Sequence, residues 1–88
     1  MKLIRKVKVK NYMGLHTRPA TAIVRLLQNC KSDVSFTHRK ETINAKSILS
    51  ILMLAARRNS RITISVEGVD ANMIMEKLVE AFENHFGE

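Results

Sequence analysis

Two hydrophobic periods interleave along this 88-residue chain, and their order leaves few folds open. Ile62, Ile64 and Val66 alternate with Thr63, Ser65 and Glu67, the two-residue period of a strand with one buried face. Val7 and Val9 alternate with Lys6, Lys8 and Lys10 in the same way, and Val34 and Phe36 alternate with Ser35 and Thr37. Ile43 and Ala45 continue the pattern after a polar turn at residues 38–40, which predicts a hairpin. Between these stretches the period changes. Ala20, Ile23, Val24 and Leu27 fall at i, i+3, i+4 and i+7, so a helix with one apolar face is predicted from Thr17 to Asn29.

Ser47 is a predicted N-cap for a short helix over Ile48–Ala56, closed by Arg57, Arg58 and Asn59, cations being favourable at the negative end of the dipole. Residues 67–70, Glu-Gly-Val-Asp, form a turn ending in a second N-cap. Met75, Leu78, Val79 and Phe82 then make the apolar stripe of a last helix, with Glu76, Lys77, Glu80 and Glu83 on its other side. The predicted order is β-α-β-β-α-β-α. A chain of this length holds one core, so a single α+β domain over 1–88 is expected, with a four-stranded antiparallel sheet and three helices on one face.

Residues 14–20, Gly-Leu-His-Thr-Arg-Pro-Ala, carry the chemistry. Proline suits a first helical turn because its φ is already helical and its absent N–H has no intrahelical partner there. His16 therefore stands at a helix start, beside unpaired backbone donors and the positive pole of the macrodipole. A phosphoryl group on His16 would meet the N–H of Thr17 and the planar cationic fork of Arg18. Gly14 lets the chain turn sharply before the histidine. The bland alternative is a solvated or capping histidine. An imidazole that is unprotonated near neutral pH is nucleophilic without an adjacent base, and no second acid or base lies within the motif. That combination favours a carrier that is itself the substrate over an enzyme.

Other classes fit less well. Cys30 has no partner for an internal disulfide and reads as a small apolar residue. His16, Cys30, His38 and His85 lack metal-ligand spacing, so neither a metal nor a cofactor is expected, and His38 and His85 read as exposed polar residues. The longest apolar run is too short to cross a bilayer, and Lys2, Arg5, Lys6 and Lys8 interrupt any leader-like segment, so a cytoplasmic protein is expected. Residues 1–61 hold 14 Lys and Arg against 2 Asp and Glu, a charge of +12, whereas residues 62–88 hold 1 against 6, a charge of −5. With Arg57, Arg58 and Arg61 clustered, a small basic nucleic-acid-binding module is the main rival. Against it, aromatic residues are only 5% of the chain, the strands offer no stacking platform, and no Gly-x-x-Gly clamp is present.

The residues at 14–20, together with Asn-Ala-Lys-Ser-Ile-Leu at 44–49, Ile-Thr-Ile-Ser-Val-Glu-Gly at 62–68 and the element order, make the chain resemble the HPr family. These are the histidine-containing phosphocarriers of the bacterial phosphoenolpyruvate-dependent phosphotransferase system. The resemblance implies an open-faced β-sandwich in which His16 takes a phosphoryl group on Nδ1 from enzyme I and passes it to a IIA domain. It also implies a regulatory phosphorylation at Ser47 by HPr kinase/phosphorylase, Ser47 otherwise being a plain N-cap. Leu15, Ile48, Leu49 and Leu52 would form the contact patch for partners, and the carrier would act as a monomer. Met13 before the glycine and the Ala-Ala-Arg-Arg-Asn-Ser stretch at 55–60 depart from the sugar-uptake members, and the Ser-Ile-Leu-Met-Leu-Ala-Ala run at 50–56 and the ending at 82–88 look closer to the regulatory, nitrogen-linked ones.

Overall fold

A computed structural model describes all residues, Met1–Glu88. The elements are β1 (Lys2–Lys8), α1 (Thr17–Leu26), β2 (Asp33–His38), β3 (Glu41–Asn44), α2 (Ile48–Met53), β4 (Arg61–Glu67), α3 (Ala71–Glu83) and a 3-10 turn (His85–Gly87). The strands form one antiparallel sheet in the order β1-β4-β2-β3. The expected β-α-β-β-α-β-α order, antiparallel sheet and hairpin are all present.

Register explains which side is buried. Leu3 pairs with Val66 and Val66 with Val34; Ile64 pairs with Phe36 and Phe36 with Ile43. These cross-strand rows of branched and aromatic side chains form the sheet's half of the core. The helices supply the other half with Ala20, Ile23, Ile51, Ile74, Leu78 and Phe82. Phe82 meets Phe36 edge-on at 5.7 Å. The opposite side of the sheet carries Ile4, Lys6, Thr63 and Thr37 and is not covered by any helix.

Several boundaries differ from the sequence reading. α1 ends at Leu26 rather than Asn29, and Leu27 turns its buried side chain inward as the C-cap. α2 ends at Met53 rather than Ala56, because Ala55 adopts a left-handed conformation with φ of 53°. Arg57, Arg58 and Asn59 therefore lie in the following loop and do not close the helix. β1 begins at Lys2, earlier than its Val7 and Val9 alternation indicates; Val9 lies just past its end, fully buried and bonded to Ser60 and Asn59. Asp70 does precede α3, but its carboxylate accepts from Lys31 N–H and Ser32 Oγ instead of its own helix. His38 is half-buried rather than exposed, with Nδ1 3.4 Å from the Arg61 carbonyl oxygen.

Candidate functional site

The loop before α1 is fixed from two sides. Gly14 N–H donates to Asn11 O at 3.0 Å, closing a turn, and Leu15 N–H donates to Ala56 O at 2.9 Å, tying the turn to the segment after α2. Gly14 has φ of 69°, and a Cβ there would stand 2.3 Å from Ala56 O, so both conformation and space demand glycine. Leu15 is buried in the core, 4% exposed. The expectation that it faces a partner is thus corrected: its backbone is pinned against Ala56, which directs its side chain inward beneath the site.

His16 is the N-cap of α1 in an extended conformation, and its side chain makes no capping hydrogen bond. Its carbonyl accepts from Ala20 N–H at 3.0 Å. Thr17 and Arg18 occupy the first two helical positions and Pro19 the third. The amides of Thr17 and Arg18 have no acceptor within the protein, and Pro19 has no amide to offer. Arg18 is exposed and forms no ion pair, while Pro19 is buried against the core. His16, Thr17 and Arg18 thus form the N-cap and first two positions of α1.

The imidazole, 30% exposed, places Nε2 against the Glu88 carboxylate, 3.2 Å from Oε1 and 3.1 Å from Oε2. Nδ1 is left without a hydrogen-bond partner. Asn11, buried at 2%, donates through Nδ2 to the same carboxylate and to His85 O at 2.8 Å. The hydrogen bond from Asn11, then that from His16 and the positive charge of His16 and Arg18, hold the Glu88 carboxyl below its ordinary range against the opposing cost of desolvation. A ring nitrogen free of partners, beside two open amides and an unpaired guanidinium, can accept an anionic group.

Ser47 is the N-cap of α2, and its hydroxyl accepts from Ser50 N–H at 3.2 Å, as expected of the plain cap. Along α2, Ile48 and Leu49 are exposed, whereas Leu52 is half-buried and packs on the core. Leu52 can thus give only part of its side chain to a partner. Ile51 and Leu54 are buried. Three further apolar residues are exposed: Tyr12 and Met13 in the loop before His16, and Met53 at the end of α2. Met53 falls one helical turn after Leu49, a spacing visible in the sequence. Arg58 of the basic cluster lies 5.7 Å over the Tyr12 ring. Asn11 and Glu88 have no such signal, being 77 residues apart and joined only by folding.

No helix is long and apolar enough to cross a membrane. A family model described as the phosphorylation site of the phosphotransferase-system HPr component matches residues 3–84. The phosphocarrier protein HPr of Chlamydia pneumoniae is 48% identical over 80 residues, which span 91% of this chain and 74% of that protein. Among solved structures, HPr from Thermoanaerobacter tengcongensis superposes with a TM-score of 0.93 at 31% identity, covering 98% of this chain and 97% of that one. HPr from Bacillus anthracis gives a TM-score of 0.85 at 36% identity, covering 92% and 95%. Sequence and fold, both matched over nearly the whole length, establish that the chain belongs to the HPr family, the phosphocarriers of the phosphotransferase system.

Proposed function

We propose that His16 carries the phosphoryl group, on Nδ1, and that residues 1–88 act as one cytoplasmic, monomeric carrier domain between phospho-enzyme I and a IIA protein. The observation that carries this reading is the uncapped start of α1. His16 stands there with Nδ1 unpartnered, the amides of Thr17 and Arg18 open, and Arg18 unpaired. Phosphoryl transfer passes through a loose transition state in which positioning and charge stabilisation dominate. Two open amides and one guanidinium supply both, and no further catalytic group is required of a carrier. Ile48, Leu49 and the exposed part of Leu52, extended by Tyr12, Met13 and Met53, supply an apolar docking patch beside the histidine.

Incubated with phosphoenolpyruvate and enzyme I, the chain is expected to gain one acid-labile, base-stable phosphate, absent from His16→Ala. Mass spectrometry under alkaline handling reads this directly, and an unmodified wild-type histidine ends the proposal. The acceptor is a IIA protein of either a sugar-uptake or a nitrogen-type regulatory branch, and presenting the phosphorylated chain to both separates them. Ser47 is the site for HPr kinase/phosphorylase: a phosphate there places about −2 charge beside the docking patch and weakens partner binding. This second phosphate survives acid, which distinguishes it from the first.

A further inference from the structure

The basic cluster at residues 57–61 divides once the chain is folded. Arg61 pairs with Lys8 and lies on the uncovered side of the sheet. Arg57 and Arg58 instead line a cleft of about 780 Å³ between the segment after α2 and the β2–β3 hairpin, whose turn residue Arg39 joins them. All three side chains are exposed and none forms an ion pair, although Glu41 stands in the same cleft. The amides of Arg57 and Arg58 have no acceptor within the protein. Their segment is nevertheless firmly held. Val9 N–H donates to Ser60 O at 2.8 Å, Asn59 N–H to Val9 O at 2.7 Å and Ser60 N–H to Arg57 O at 3.0 Å, while Ala56 O accepts from Leu15 N–H. Three of the five non-glycine residues with positive φ line this cleft: Arg39, Ala55 and Asn59, at 58°, 53° and 73°. Such conformations persist only where surrounding contacts enforce them, and they cluster at ligand sites.

We propose that this cleft binds a small anion carrying two or more phosphoryl groups, of the class of inorganic tripolyphosphate or the polyphosphate tail of a nucleotide. A guanidinium presents a planar fork to two phosphate oxygens at once, which the point charge of a lysine does not, and here three forks face one space. Three arginines against one glutamate, with His38 neutral, leave the lining at +2, a match for a multiply charged ligand. Leu54 and Ala55 are its only apolar residues, and Leu54 is buried, so an apolar ligand finds little to hold. No Phe or Tyr lines the cleft, so a nucleobase has nothing to stack on and recognition falls on the phosphates. That favours a compact polyphosphate over a strand of nucleic acid. The fixed backbone beneath the arginines lowers the ordering that binding requires. The cleft shares no residue with the start of α1, so the inference does not depend on His16 being the phosphoryl acceptor.

The test titrates the full chain, labelled with 15N, with tripolyphosphate, orthophosphate and a short oligouridylate at constant ionic strength, following the backbone amides. Tripolyphosphate is expected to shift the amides of residues 38–41 and 54–60, and to do so at lower concentration than orthophosphate. Arg39→Asn, which keeps a residue type tolerant of the left-handed turn, combined with Arg57→Gln is expected to weaken this binding about tenfold or more. Both positions are exposed, and the unliganded spectrum of the variant reports that its fold is retained. Arg25→Gln removes the same charge from an exposed position outside the cleft and is expected to change the affinity by about twofold or less. Tripolyphosphate shifts confined to residues 16–18 overturn the proposal, as does an equal loss in Arg25→Gln, which would reduce the effect to overall charge. Tighter binding of oligouridylate, with shifts running along Lys6, Lys8 and Arg61, overturns it by assigning the surface to nucleic acid.

Discussion

α1 and α2 both begin at an extended N-cap residue, His16 and Ser47, yet the two starts are built for different ends. At α2 the third helical position is Ser50, whose amide is bonded by the Ser47 hydroxyl. At α1 the third position is Pro19, which has no amide, so the donor that holds the cap side chain at α2 is missing here. One helix spends its cap residue on local stability. The other leaves it to meet a distant carboxylate. A single proline, placed where it costs the helix nothing, separates the two uses.

The most severe way to break this comparison is to disturb what joins the two regions. Gly14→Ala drives a Cβ into Ala56 O at a left-handed position, and a loss of about 3 kcal/mol is expected by urea denaturation. The caps themselves come next. Ser47→Ala is expected to cost about 1 kcal/mol because a capping bond is lost, with phosphate uptake by His16 retained. His16→Ala, which loses no capping bond, is expected to change stability by about 0.5 kcal/mol or less while abolishing uptake. Equal costs at the two positions would erase the distinction drawn here.

Arg18→Ala is expected to leave the melting temperature within error, since the side chain is exposed and unpaired, and to slow transfer roughly tenfold by stopped-flow or quench kinetics. The third N-cap, Asp70, sharpens the picture further. Hydrogen bonds from Lys31 N–H and then from Ser32 hold its carboxyl below the ordinary 3.8. A carboxyl lowered in the folded state adds stability above its unfolded value, and that contribution fades as pH falls through the folded value. Melting curves below about pH 4 are therefore expected to show a small loss that Asp70→Asn does not share.

Element order and the β2–β3 hairpin were readable from the sequence because apolar spacing reports burial directly and a polar turn marks the reversal, whereas the pairing of β4 with both β1 and β2 joins strands distant in the chain and left no local signal. The alternation at Ile62, Ile64 and Val66 corresponds to buried residues in β4, and the helical spacing of Ala20, Ile23 and Leu27 to the buried face of α1 and its cap. The placement of His16, Thr17 and Arg18 at the start of α1 was readable for a similar reason, since proline and glycine punctuate the backbone locally. The end of α2 was not, because nothing in Leu54-Ala55-Ala56 signals a left-handed alanine. Apolar character alone could not tell buried Leu15 from exposed Leu49, since that depends on a backbone bond to Ala56. The partnership of Asn11, His16 and Glu88 was invisible for a different reason: it spans the molecule, and no local pattern encodes a contact between residues 72 or more apart.

The strand order β1-β4-β2-β3 has a consequence for how the chain is made. β1 pairs with β4 alone, so on the ribosome it emerges early and waits for some fifty further residues before its only neighbour exists. During that interval Leu3 and Val7 lack a cover. Lys2, Lys6 and Lys8 along the same strand set like charges between neighbouring nascent copies and discourage premature pairing. The lysines that punctuate this strand thus guard it in translation as well as dissolving its outer face afterwards.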